Sequence, residues 1–286
     1  MNYPKLQHTK KQHTVPKVFL KNFSDNKRDI YRIFKKPNRS REIIEKEINS
    51  PVSLETATVV DNFYTVKSGK EPMMVETLIY SQFIENEYPQ IYKVFVDPNI
   101  DKFDMKQRSQ ILTFFATLHC RTPKQFELFF NLIPPTHLYE LEQIKEDYKS
   151  FHLAEIAQKV IEAHQFKRLI IYKITDNLEF ITSDNPVLIV GRDNSLKNNN
   201  YREQFNRDNI CIIPIDRKHC CVFSHCKDKN GIDAYGKLFY NKIERKDITP
   251  SHVHYINYLM LGSGEKYFYG SKKHLGAIYK FHHAAK

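Results

Sequence analysis

The hydrophobic period of this chain changes from 3.6 to 2 at about residue 166, and that change limits the folds open to it. Before it, apolar residues of the longest runs recur at 3.6-residue spacing. Met74, Leu78, Ser81, Glu85, Tyr88 and Tyr92 share one stripe, and Ile111, Phe115 and Leu118 another. After it, the runs KRLIIYKIT, LEFITSD, VLIVGR, NICIIPID and HCCVFSHC are short, rich in β-branched residues and separated by Asn, Asp and Gly turns. A helical block followed by a sheet reads as an α+β fold.

The rest of the chain fits around that block as one α+β domain over residues 1–286. Residues 1–70 read as a β-rich N-terminal segment. KKQHTVPKVFLKNFS enters a short helix with Pro16 in its first turn, RDIYRIFKK alternates like a strand, and REIIEKEINSPVSLETATVV reads as short strands and a turn. Residues 71–165 hold three long helices: 71–96, a second capped by Asp101 or Asp104 that Pro123 kinks or restarts, and a third over 136–165. Residues 166–286 form an antiparallel or mixed sheet and a final helix capped by Thr249, with Pro250 in its first turn, then a Gly-rich turn and a short tail. Ser195 to Asn209 is expected to be a mobile loop.

An apolar fraction of 41 % over 286 residues is enough for a sizeable core. No run of about 18 apolar residues exists and MNYPKLQHTKKQH has no apolar leader core, so a cytoplasmic protein without a membrane partner is expected. Five cysteines, an odd number bunched late, point to reduced thiols. The net charge of +11 is uneven: residues 1–48 hold 13 Lys/Arg against 5 Asp/Glu, residues 216–286 hold 13 against 6, and the middle 18 against 22. Basic ends of this kind gather polyanions, so nucleic acid is a partner to consider, beside a purely solvated basic surface or a protein partner.

The order of several short motifs carries a resemblance. QHTVPKVFLKNFS, NFYTV with VETLIYSQFIE, RTP late in a long helix, FITSDNPVLI, IIPID and HYINYLM resemble the bacterial and archaeal family catalogued as domain of unknown function 4238, from about His13 to Tyr269. The resemblance implies a single α+β unit and marks His13, Pro16, Glu76, Glu85, Arg121, Asp184, Asn185 and Pro186 as motif residues. It implies no reaction. The family's first motif has an aromatic residue after the His, where this chain has Thr14.

His13, Glu76, Glu85, Arg121, Asp184 and Asn185 sit in strongly apolar segments, so they either pair with one another or face a cleft. One reading is a buried ion pair of Arg121 with a Glu that ties two helices, with His13 and Asp184 as caps. The other is a site of His13, Glu85, Arg121, Asp184 and Asn185. In it His13, Glu85 and Asp184 surround a divalent Mg²⁺ or Mn²⁺, or His13 acts as general acid/base while Arg121 holds an anionic group. Glu76 and Glu85 lie about 180° apart on a straight helix, which favours Glu85. SDNP reads as an Asx turn or a strand-end site. His219, Cys220, Cys221, His225 and Cys226 point to opposite faces of a strand and make a poor zinc set. No phosphate-binding glycine loop, H-E-x-x-H, G-x-S-x-G or C-x-x-C is present. The function expected is therefore nucleic-acid-directed, as a metal-dependent nuclease or phosphodiesterase. The alternatives are a non-catalytic binding or complex-forming protein, such as a component of a bacterial stress or phage-defence system, and an enzyme acting on a small phosphorylated ligand.

Overall fold

Asp104 and Pro123 decide where the longest helix among the described residues begins and ends. In a computed structural model of the chain, Asp104 and Gln107 form a reciprocal capping box: Gln107 N donates to Asp104 Oδ1 at 2.7 Å and Asp104 N to Gln107 Oε1 at 2.9 Å. The helix runs Met105–Cys120. Thr122 is then extended, as a residue before proline prefers, and Pro123 opens the next helix, Pro123–Phe130. The structure describes residues 11–35, 41–63, 65, 85–132, 153, 155–225 and 241–284, with side chains of 41–43 and 279–284 excepted. Glu76, the expected helix over 71–84, most of the third helical stretch and Cys226 lie outside those residues.

In chain order the elements are β1 (Lys11–His13), α1 (Lys17–Leu20), β2 (Asp29–Phe34), α2 (Arg41–Asn49), β3 (Val52–Ser53), β4 (Val59–Asp61), α3 (Tyr88–Val96), α4 (Met105–Cys120) and α5 (Pro123–Phe130). There follow α6 over 155–164, β5 (Arg168–Lys173), β6 (Thr182–Ser183), β7 (Leu188–Val190), β8 (Ile210–Pro214), β9 (His219–Ser224), β10 (Ile243–Asp247), α7 (Pro250–Ser263), β11 (Tyr267–Gly270) and α8 (Lys272–Ala284). The fold is α+β, with a mixed five-stranded sheet in the order β10-β5-β9-β8-β7, in which only β10 and β5 pair in parallel. A second, antiparallel sheet has the order β3-β2-β11-β6, and β1 pairs with β4 as a ribbon.

Four expectations need correction. REIIEKEIN is helical, with Ile44 and Ile48 buried four residues apart on one face; its Ile-Ile pair imitates a strand. LEFITSD leaves the large sheet: β6 pairs with β11 instead. The polar stretch after Ser195 is not a loose loop. Asn198 is fully buried, accepts Ile189 N at 2.7 Å and donates to Val187 O at 2.6 Å, pinning the loop to β7. The expected tail is β11 and α8, and β11 joins the N-terminal β2 to β6.

One continuous apolar cluster takes residues from all parts of the described chain. Phe19 of the N-terminal helical turn meets Phe23, Tyr88 and Phe114, Phe114 meets Phe115, and Phe115 reaches Phe223 of β9 at 5.6 Å. Each fully buried Phe contributes about 1.5–3 kcal/mol. Cations close several helix C-termini around this core. Arg245 donates to Val94, Phe95 and Ile100 carbonyls at 2.9, 2.6 and 2.8 Å after α3. Arg108 Nε donates to Gln165 O at 2.8 Å after α6. Cys120, Cys211, Cys220 and Cys221 are buried free thiols. Among the described residues no helix is long and apolar enough to cross a membrane.

Candidate functional site

Thr14 and Thr58 set the geometry around His13. Thr14 N and Oγ1 both donate to Thr58 O, at 3.0 and 3.1 Å, and Thr58 Oγ1 returns a bond to Val15 O at 2.7 Å. These bonds extend the β1–β4 ribbon past His13, and Pro16, extended at ψ 136°, turns the chain into α1. The half-buried His13 ring is thereby held against the 54–58 turn, where its Nε2 lies 3.3 Å from Leu54 O. A carbonyl only accepts, so Nε2 carries the hydrogen and the neutral ring keeps its lone pair on Nδ1.

Arg121 ends α4 and is fully buried. Its Nη2 donates to His13 O and its Nη1 to Glu85 Oε1 at 3.2 Å. Glu85, just before α3, keeps 24 % of its side chain exposed, so this ion pair has one dry and one wet end. Burial holds the His13 pKa below its usual 6.5; the Leu54 carbonyl and Glu85 oppose that shift, Arg121 reinforces it and Glu55 opposes it. The ring is therefore neutral at pH 7. His13, Glu85 and Arg121, from three distant segments, do meet.

Asp184 and Asn185 take other work. Asp184 Oδ1 accepts Glu265 N at 2.8 Å, and Oδ2 accepts Lys266 N and Tyr267 N at 2.7 and 3.1 Å, so the carboxylate caps the turn between α7 and β11. Asn185 is fully buried; Nδ2 donates to Ser263 O and Oγ at 3.2 and 3.0 Å, and Ser263 Oγ donates back to Asn185 O at 3.0 Å. The two groups approach across one turn: beyond Arg121 and Pro123, Lys124 Nζ donates to the same Ser263 O at 3.0 Å. The four motifs thus gather on two sides of the α4–α5 junction rather than around one point. No three His, Cys, Asp or Glu groups among the described residues stand together as metal ligands, so His13, Glu85 and Asp184 do not form the expected Mg²⁺ or Mn²⁺ set. The physical reason is the turn at 265–267, which claims both oxygens of Asp184.

The remaining polar candidates are structural in their contacts. Cys220 and Cys221 are buried in β9, His219 Nδ1 faces Asp216 Oδ2 at 2.9 Å and His225 Nε2 faces Asp208 O at 2.8 Å. Lys124 and Ser263, which bridge the two motif groups, went unnoticed in the sequence. Lys124 directly follows RTP, whereas nothing in GSGE distinguishes Ser263 from an ordinary turn serine.

No curated protein and no solved structure matches the chain. The family model described as "Protein of unknown function (DUF4238)" matches residues 11–274, which include His13, Glu85, Arg121, Asp184 and Asn185. With a match that covers residues 11–274 of 286, the chain belongs to the DUF4238 family.

Proposed function

We propose that the protein is nucleic-acid-directed and hydrolyses phosphodiester bonds with His13 as general base. The observation that carries this reading is the His13 ring itself: neutral at pH 7, with its tautomer fixed by Leu54 O and Nδ1 left as the basic nitrogen. In the proposed step Nδ1 takes the proton of an attacking water as its oxygen bonds to phosphorus, the Glu85 charge favours the imidazolium formed, and as the P–O bond to the leaving sugar oxygen breaks the imidazolium returns its proton to that oxygen. Arg121 acts as a positioning residue. Its guanidinium is buried against Glu85 and the β1 backbone, so it orders both groups without reaching outward to a phosphate. The described residues hold no three-ligand set for Mg²⁺ or Mn²⁺, and the proposed step uses protein groups alone.

The basic balance of +11 supports approach of a polyanion. It overstates the outward field, because Arg108, Arg121 and Arg245 turn their charge onto internal carbonyls or carboxylates. The test is cleavage of single- and double-stranded DNA and RNA by the purified protein, beside His13→Gln. A general base contributes about 10²–10⁴-fold, so His13→Gln should lose at least about 100-fold in rate. Unchanged cleavage by His13→Gln, or no salt-sensitive association of the parent with any nucleic acid, would overturn the proposal.

A second reading has its own support: the complete burial of Arg121 suits a structural tie in a non-catalytic, complex-forming protein. In that case His13→Gln leaves cellular function intact while Arg121 variants abolish it through misfolding.

A further inference from the structure

A base at His13 needs a cation to hold the substrate phosphate, and Arg121, buried against Glu85 and the His13 carbonyl, does not supply one. Four residues after His13, Lys17 begins α1. Two side chains of this short segment land on one turn. The His13 ring meets Leu54 O at 3.3 Å, and Lys17 Nζ donates to the carboxylate of Glu55, the next residue. Ring and ammonium are thus anchored on consecutive residues, and Glu55 is near enough to His13 for the charge of each to act on the other.

The two cations differ in how readily they change partner. The Arg121 guanidinium is fully buried, so leaving Glu85 would strand two desolvated charges. Lys17 and Glu55 keep 43 % and 67 % of their side chains exposed, and an exposed pair of this kind is worth little. A charge-assisted bond from an ammonium to a phosphate oxygen is stronger than that. The flexible four-carbon stem of a lysine lets its ammonium move from one acceptor to another while the backbone stays in place.

We infer that Lys17 binds the substrate phosphate of the His13 site and that Glu55 is its built-in competitor, holding the ammonium until a phosphodiester displaces the carboxylate. This inference rests on the reading of His13 as general base. Glu55 thereby regulates the site: it keeps Lys17 beside His13 and sets how much binding free energy a phosphate must supply to take it.

Steady-state cleavage of a single-stranded oligonucleotide, as DNA and as RNA, by the full chain reads the effect. Lys17 and Glu55 are exposed, so their variants keep the fold. Lys17→Gln should raise KM at least about fivefold, more than it lowers kcat, and flatten the salt dependence of KM by about one unit of slope. Glu55→Gln should lower KM at least about twofold, and the gain should vanish in the double variant, because Lys17 is the group released. Lys21→Gln removes the same charge one turn further on and should change KM less than about twofold. An unmoved KM in Lys17→Gln, an equal effect of Lys21→Gln, or a Glu55→Gln gain that survives in the double variant would overturn the inference and leave His13 as base. No cleavage by the parent, or equal cleavage by His13→Gln, would overturn the reading of His13 and the inference with it.

Discussion

Replacing Arg121 by Met is the sharpest test of the junction at the centre of this fold. Met keeps much of the volume and removes the charge, so the perturbation falls on the Glu85 ion pair and on the bond to His13 O. Deleting one partner of a buried pair costs about 3–5 kcal/mol, chiefly because the other charge is stranded. Glu85 is 24 % exposed and turns partly to water, which places the cost near the lower bound, about 3 kcal/mol. For a chain of 286 residues, an unfolding entropy of roughly 2.1 cal/mol/K per residue converts this to a Tm lower by about 5 °C. The assay is calorimetry or urea unfolding of Arg121→Met, Glu85→Gln and the double variant. Because each single change strands the other group, the double variant should cost less than the sum by at least about 1 kcal/mol. A Tm within about 1 °C of the parent for Arg121→Met, or strict additivity, refutes the claim that Arg121 fastens β1 and Glu85 to the end of α4.

The remaining expectations follow the same contacts. His13→Gln should keep its Tm within about 2 °C, since the Arg121 bond is to the His13 backbone, and a larger drop would place the ring among the structural groups. Asp184→Ala strips the acceptor from three backbone N–H groups at 265–267 and should cost about 2–3 kcal/mol in urea unfolding; no loss would refute the capping role. Burial lowers the His119 pKa to about 4; the Gln204 bond opposes this and Lys124 reinforces it. The unfolded chain therefore takes up a proton first as pH falls below about 6.5, and stability drops toward acid by on the order of 2 kcal/mol at pH 5. The fully buried His164, whose pKa is likewise lowered, acts in the same direction. Equal urea midpoints at pH 7 and pH 5 would refute this account.

Much of this architecture was legible from local pattern. Alternation announced β2, β5, β8 and β9, and Pro123 and Thr249 marked helix starts because they act within a turn or two of themselves. What stayed hidden depends on distant partners. EKYFYGS is too short to declare a strand and becomes one only by pairing Tyr267 with Phe34 and Phe268 with Ser183. The stretch after Ser195 looks polar and loose, yet one side chain, Asn198, satisfies β7 on both faces of its amide.

The candidate site divides in the same way. That Arg121 in an apolar helix needs a carboxylate follows from the cost of a buried charge, and Glu85 supplies it. That Asp184 faces a backbone turn, and not His13, rests on the path of residues 265–267, which no spacing rule encodes. The positive balance misleads for a related reason: Arg108 and Arg245 count fully in the sequence, whereas their guanidinium groups close helix ends inside the molecule.

The pairing of β11 with β2 has a consequence for how the chain reaches its native state. β2 is among the first strands synthesised and finds its central neighbour only when Tyr267–Gly270 has been made. Until then, among the described residues, Asp29–Phe34 has only the two-residue β3 beside it, and its other edge is an open template for foreign strands. Closing so long a loop before any pairing rewards it makes for slow folding of the second sheet. The nascent protein therefore carries a risk of misassembly at Asp29–Phe34 that lasts until Tyr267–Gly270 has been made and paired.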